Sequence, residues 1–425
     1  MIVVDPVLLM FGPSPYLTVG ATLTRRGYLA IVGRYEVLDR PAISRSAETA
    51  ATPPGWMQEA GSMRAVVLRE VGQTTAVEEL QLRRIGVHDV RVRLGASGVC
   101  HTDLSVRDGS MPALLPCTLG HEGAGIVSEV GDAVTAVSPG DHVVLTWNVP
   151  CRRCPHCLRG EAQLCPRGLK HAFGEPYAQS STGPVWPEMG AGTLAEETVL
   201  PAAAVVPVDR SLPLDHAALL GCGVTTGVGA VLRTAAVRPG ESVLVIGCGG
   251  VGLAAIQGAR LAGAARIIAA DRNGAQLPAA TANGATDTVD AAQTDLLDAV
   301  RDLTGGAGVD HGIEVVGKPA TIRAAFDATR RGGAVTLVGA AGFTESVTFP
   351  ALMLMADGKK IQGSVYGASD PARDIPLLAE LAGRGRLDLE ALVTRRIGVE
   401  DVEAAFSDMA AGRGARSVVC FGASG

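Results

Sequence analysis

One short run constrains this chain more than any other: Gly247-Cys-Gly249-Gly250-Val251-Gly252, set between an apolar stretch SVLVI and a helix-like stretch LAAIQGARLAG. A bare GxGxxG is weak evidence. Here a strand-like run precedes it, a helix-like run follows it, and Asp271 closes the next strand-like run, ARIIAAD, 19 residues beyond Gly252. In that context each glycine has a physical task. Gly247 permits the tight turn, Gly249 lets the backbone approach a pyrophosphate, and Gly252 lets helix and strand pack closely. The amides at the helix start, Gly250 and Val251 among them, then face the anion. Asp271 is expected to accept hydrogen bonds from ribose hydroxyls and to repel a 2′-phosphate, which favours NAD. Arg272 is the residue that would accommodate that phosphate instead. A Gly-rich turn without a ligand is the alternative.

From about Pro239 strand-like and helix-like runs alternate, which predicts a doubly wound parallel sheet. From Met63 to about Ala204 the texture differs: short β runs such as VRVRLGASGV, GAGIVSEVG and GDHVVL are broken by Gly and Pro, which predicts a compact, mostly β domain. After Tyr366 come two helix-like stretches and a final strand, RSVVCF. Residues 1–62 show no clear period and end in a turn-rich stretch, so they read as a disordered extension or a start assigned too far upstream. With 425 residues the chain has room for two or three domains.

Composition removes several function classes. A chain that is 47% hydrophobic and 19% charged is not disordered throughout. A net charge of −6 and only 4% aromatic residues argue against a nucleic-acid partner. Two uncharged stretches, 6–24 and 242–259, are interrupted by Gly or Pro and predict no membrane span. No basic segment precedes the first apolar run, so no secretory signal is expected.

The 9 cysteines are unevenly placed. Cys151, Cys154, Cys157 and Cys165 lie at the spacing of a tetrahedral zinc site, and four thiolates leave no open position, so such a site is structural. Arg152, Arg153 and Arg159 are placed to offset its negative charge. Ferredoxin-type iron–sulfur runs have different gaps. A second set is dispersed: Cys100 in GVCHTD, His121 and Glu122 in GHEGAG, Cys222 in LLGCGVTTG. Two thiolates and one imidazole are the set already known from alcohol dehydrogenase zinc sites, where the fourth position is left to water or substrate. Asp103 and Glu122 stand beside proposed ligands, where carboxylates orient and polarise a metal's first ligands; surface acids in turns are the alternative.

From Met63 onward these motifs, in this order, resemble the zinc-dependent medium-chain dehydrogenases, which include the alcohol dehydrogenases. GHEGAGIVSEVG, the cysteine cluster, GCGVTTG, GCGGVG and GARSVVCF carry the resemblance. It implies an α/β chain: a GroES-like, mostly β catalytic domain over 63–223, a Rossmann NAD-binding domain over 224–365, and a return to the catalytic domain over 366–425. It implies zinc at Cys100, His121 and Cys222, a second zinc at the four-cysteine cluster, and NAD. By the same resemblance Thr102 takes the substrate proton, His101 and Arg416 contact cofactor phosphate, Thr226 contacts nicotinamide, and Trp147 and Ala340 wall the substrate pocket. Many alcohol dehydrogenases carry His three residues beyond the relay hydroxyl. Ser105 stands there in this chain, so the proton would leave through ribose hydroxyls and water. The Gly- and Pro-containing loop from Lys170 to Gly190 is expected to shape the pocket entrance.

The implied reaction is reversible oxidation of a primary or aromatic alcohol to an aldehyde, by hydride transfer from a zinc-bound alkoxide to NAD. GVCHTDL, VLTWNVPC and the SVYG segment also resemble the branch that oxidises hydroxymethyl-mycothiol, a thiol adduct of formaldehyde. A nucleotide-binding protein without turnover is the third reading, which the intact ligands oppose. The expected partner is a small alcohol or aldehyde, with no nucleic acid and no membrane. The expected assembly is a homodimer or homotetramer, in the cytoplasm.

Overall fold

The computed structural model describes residues 19–23, 29–33, 61–342, 344–414 and 416–422. Near the N-terminus Val19–Leu23 and Leu29–Gly33 pair antiparallel, in a stretch whose sequence showed no alternation. The rest of the proposed N-terminal extension lies outside the described residues, apart from Gly61 and Ser62. No helix among the described residues is long and apolar enough to cross a membrane. The uncharged stretch 242–259 is instead a strand, Ser242–Ile246, a turn, and most of the helix Gly250–Ala262.

Six parallel strands form one sheet in the spatial order Asp287–Asp290, Arg266–Asp271, Ser242–Ile246, Val309–Glu314, Thr329–Leu337, Lys360–Gly363. This is the doubly wound order in which ligands bind beyond the carboxyl ends of the strands, where the winding reverses. The reversal lies between Ser242–Ile246 and Val309–Glu314. Apolar residues throughout Ser242–Ile246 explain its central place: Val243, Leu244, Val245 and Ile246 are all buried, as a strand covered on both faces requires. The helix Gly250–Ala262 follows at once and stops at left-handed Gly263.

The β-rich part contains a closed barrel of five short strands: Gly183–Pro187, Cys117–Thr118, Ser62–Leu68, Ala76–Leu82 and Ala178–Ser180. A seven-stranded sheet is built around Asp89–Gly98, which pairs with Glu122–Val130, Glu197–Pro201 and Ser417–Cys420. The C-terminal strand therefore returns to the first half of the chain. A continuous apolar core runs from Ala96, Ala124 and Val144 of this sheet, through Leu219, Leu220 and Val224, to Val243 and Leu253 of the parallel sheet. The stretch expected to be an entrance loop, 170–190, contributes two strands to the barrel, Ala178–Ser180 and Gly183–Pro187, between irregular segments, and its end carries the buried Glu188. Gly and Pro spacing did not distinguish a loop from very short strands.

Candidate active site

The strand Asp89–Gly98 delivers Cys100 to the start of the helix His101–Asp108. His121 immediately precedes the neighbouring strand, whose Glu122 is in register with Gly98. Cys222 precedes the helix Gly223–Gly229. One ligand atom from each of Cys100, His121, Glu122 and Cys222 lies within 4.8 Å of every other. His121 Nδ1 lies 2.9 Å from Asp103 Oδ1, whereas its buried Nε2 has no hydrogen-bond partner. An imidazole fixed by a carboxylate at one nitrogen and unpartnered at the other is what a metal-ligating histidine requires. With two thiols beside it, the donor set fits zinc. Contact with Cys222 holds the Cys100 thiol well below its ordinary value against burial, with His121 and Arg416 assisting.

Asp103 serves two ligands. Its Oδ2 accepts the Cys100 N–H at 2.7 Å while Oδ1 faces His121. Glu122, fully buried, accepts the Gly223 N–H at 3.1 Å through Oε1 and pairs with Arg416 Nη1 at 2.8 Å through Oε2. Burial pushes its carboxyl up to about 7, although Arg416 opposes this. A Cβ on Gly98 would lie 2.2 Å from Glu122 Oε2, so any larger residue there would displace the Glu122 carboxylate from its place beside Arg416. Arg416 also donates to the Val99 carbonyl at 3.3 Å. At its other edge, a Cβ on Gly250 would lie 2.5 Å from Nη2. This one guanidinium therefore spans from the thiol–imidazole cluster to the helix start where a pyrophosphate would sit.

The glycine turn has the shape its residues require. A Cβ at Gly252 would stand 1.8 Å from the Gly247 carbonyl oxygen, whereas a Cβ at Gly249 would meet nothing within 4 Å. The face of Gly249 is open, as a cradle for a phosphate must be. Gly247 has φ +101. Asp271 Oδ2 accepts the Cys248 N–H at 2.7 Å, so the acid is tied to the turn, and Arg272 beside it is exposed. Thr226 is half-buried and bonds back to the Cys222 carbonyl through its N–H at 2.8 Å. Thr102 and Ser105 are half-buried, and His101 is exposed. Trp147 packs edge-on against Tyr366, with ring centroids 4.8 Å apart, and Ala340 is exposed with its backbone close against Gly317.

The four-cysteine lobe is also assembled, its sulfurs lying within 4.8 Å of one another. The Cys151 N–H donates to Cys165 Sγ at 3.3 Å and the Cys157 N–H to Cys154 Sγ at 3.5 Å. The flanking arginines also meet carboxylates: Arg152, with φ 60, pairs with Asp370, and Arg159 pairs with Glu161. Arg152 is at the same time close enough to Cys157 for the two charges to attract.

Two residues that pattern reasoning passed over stand close to the site. Tyr366 is the first of three consecutive left-handed residues, Tyr366–Ala368, with φ 52, 64 and 51. Its hydroxyl donates to the Gly221 carbonyl at 2.7 Å and lies 3.1 Å from Thr146 Oγ1, fixing the turn that carries Cys222. Tyr366→Phe is expected to cost about 1–2 kcal/mol, since it leaves the buried Gly221 carbonyl without this donor, lowering the melting temperature by a few degrees without loss of zinc. An unchanged melting curve would show that these bonds contribute nothing net. Glu188 is the other, buried at the inward end of the 170–190 stretch. Burial and the neighbouring Asp103 push its carboxyl well above the ordinary range. No local motif marks it, because its neighbours come from residues 103–121.

The sequence profile described as "alcohol dehydrogenase GroES-like domain" matches residues 86–210, and that described as "zinc-binding dehydrogenase" matches residues 250–382. An S-(hydroxymethyl)glutathione dehydrogenase of Synechocystis sp. is 36% identical over 367 residues, covering 84% of this chain and 99% of that protein. Among solved structures, an alcohol dehydrogenase zinc-binding domain protein from Burkholderia ambifaria is 34% identical with a TM-score of 0.81, covering 85% of this chain and 99% of its own. Benzyl alcohol dehydrogenase from Acinetobacter calcoaceticus is 30% identical with a TM-score of 0.80, covering 85% of this chain and all of its own.

Proposed function

The chain belongs to the zinc-dependent medium-chain dehydrogenases and is an alcohol dehydrogenase-type oxidoreductase working with zinc and NAD; from that premise we propose that it oxidises a primary alcohol, aromatic alcohols included, to the aldehyde. The observation that supports this reading most is the convergence within 4.8 Å of buried Cys100 and His121 with half-buried Cys222, with His121 Nε2 unpartnered. When bound there, zinc supplies Lewis-acid polarisation of an alcohol oxygen, and nicotinamide supplies the hydride acceptor.

The chain's own residues do the rest. Cys100, His121 and Cys222 hold the metal, and the four-cysteine lobe holds a second zinc. Thr102, on the helix that begins beside Cys100, would take the hydroxyl proton at Oγ1 while handing its own proton on. With Ser105 one turn further on, that proton would leave through ribose hydroxyls and water rather than an imidazole. Arg416, His101 and the Gly250–Val251 amides bind the dinucleotide phosphates, and Thr226 orients the nicotinamide end. Asp271 at the strand end selects the ribose of NAD over a 2′-phosphate, with Arg272 turned to solvent. Trp147 and Ala340 bound the substrate space.

A second reading is oxidation of a hydroxymethyl–thiol adduct, the mycothiol adduct included. It is favoured by the relative named for S-(hydroxymethyl)glutathione, whereas the benzyl alcohol dehydrogenase favours the first. NADH formation with benzyl alcohol, ethanol, and formaldehyde with or without glutathione or mycothiol separates them. Turnover of free alcohols is the expected result, and strict dependence on a thiol would replace the first reading with the second. We also read the chain as a homodimer or homotetramer. Leu352, Met353 and Met355 are exposed on one short helix beside the edge strand Lys360–Gly363. Nine unpaired cysteines support a reducing compartment such as the cytoplasm.

A further inference from the structure

The backbone entering His121 is clamped at Gly120. Gly120 has φ +96, and a Cβ on it would lie 2.5 Å from the Leu194 nitrogen and 2.8 Å from Thr193 Oγ1. Its carbonyl accepts the Thr193 N–H at 2.9 Å. Its N–H donates to Glu188 Oε2 at 2.6 Å. Glu188 Oε1 has no hydrogen-bond partner and lies 3.8 Å from His121 Nδ1, the nitrogen that faces Asp103. The side chain is carried inward by an irregular turn in which Met189 has φ 48 and Gly190 φ 75. A non-glycine residue held left-handed is a cost borne only where the surrounding structure over-determines it.

Asp103, His121 and Glu188 are not themselves a cation site. Asp103 already engages the imidazole and the Cys100 N–H, and Glu188 Oε2 is occupied by an N–H donor. What Glu188 does instead is hold the peptide from which His121 projects. We propose that Glu188 is a positioning residue for the metal site: by accepting the Gly120 N–H it fixes the entry to His121, so that Nε2 stays directed at the thiols of Cys100 and Cys222. This rests on the reading that those three residues hold zinc. Partners that orient ligands in this way typically contribute 10–100-fold to metal affinity.

The test is zinc retention in the full-length protein against a graded chelator, together with melting in saturating zinc. The wild type comes first: two zinc ions per chain uphold the underlying reading, whereas one ion, held by the four-cysteine lobe, would overturn that reading and the proposal with it. Glu188→Leu removes the acceptor. It is expected to release the catalytic-site zinc at roughly 10–100-fold lower chelator strength, keep the four-cysteine zinc, and melt close to wild type when saturated. Glu188→Gln keeps an oxygen for Gly120 and should retain both ions as the wild type does. Three results would overturn the proposal while leaving the zinc reading intact: Glu188→Leu retaining the second zinc at wild-type strength, Glu188→Gln failing as badly as Glu188→Leu, or Glu188→Leu melting far below wild type even in saturating zinc, which would mark a packing role.

Discussion

Cys100→Ala should lower the NAD-linked oxidation rate by roughly 1,000-fold or more while the chain stays folded. A Lewis acid at a reacting oxygen supplies several kcal/mol, and each 1.4 kcal/mol is about tenfold in rate. The substitution removes a sulfur but leaves the backbone N–H that donates to Asp103, so the start of the helix His101–Asp108 and the orientation of His121 should persist. Three readouts separate loss of chemistry from loss of fold: kcat, zinc per chain falling from two to one, and an essentially unchanged circular dichroism spectrum. A variant that turns over at the wild-type rate would refute the assignment of Cys100 to the reacting centre.

The second large effect is expected at the glycine turn, and it uses a pair of substitutions. In Gly252→Ala the new methyl would stand 1.8 Å from the Gly247 carbonyl oxygen, inside any tolerable contact. The turn must open and the helix Gly250–Ala262 must move, taking its amides and the Arg416 contact at Gly250 with it. Affinity for NADH should fall about 100-fold or more, because the phosphate site is made of those backbone donors. Zinc content should not change, since none of the ligands lies on that helix. Gly249→Ala is the counterpart. Its Cβ meets no protein atom within 4 Å, and its φ of −75 suits alanine. That variant should melt like the wild type and lose affinity only because the methyl occupies ligand space. Equal NADH affinity in all three proteins, by fluorescence titration, would place the dinucleotide elsewhere.

The centre of the parallel sheet was legible because Ser242–Ile246 and most of Arg266–Asp271 are apolar on both faces and the turn between them needs glycine at fixed offsets. The same holds for the four-cysteine lobe, whose ligands are near neighbours in the chain. The β-rich half was legible as a class but not in detail. Cys117–Thr118 and Ala178–Ser180 are too short to show alternation, and what makes them strands is closure of the barrel. Arg152 was legible as a charge beside the thiolates, but its pairing with Asp370 was not, because that carboxylate lies 218 residues away in the chain.

Residue type and spacing marked the candidate thiolates, the imidazole and the glycine turn, whose properties no neighbour can replace, and the family resemblance added the roles of Thr102, His101, Arg416, Thr226, Trp147 and Ala340. The folded chain decided which groups hold them in place. Glu188 reaches Gly120 across 68 residues, Tyr366 reaches Gly221 across 145, and Arg416 reaches Glu122 across 294. Such contacts leave no local pattern, because a hydrogen bond depends on where two segments meet in space, and that is set by how the barrel, the two sheets and their shared core pack together.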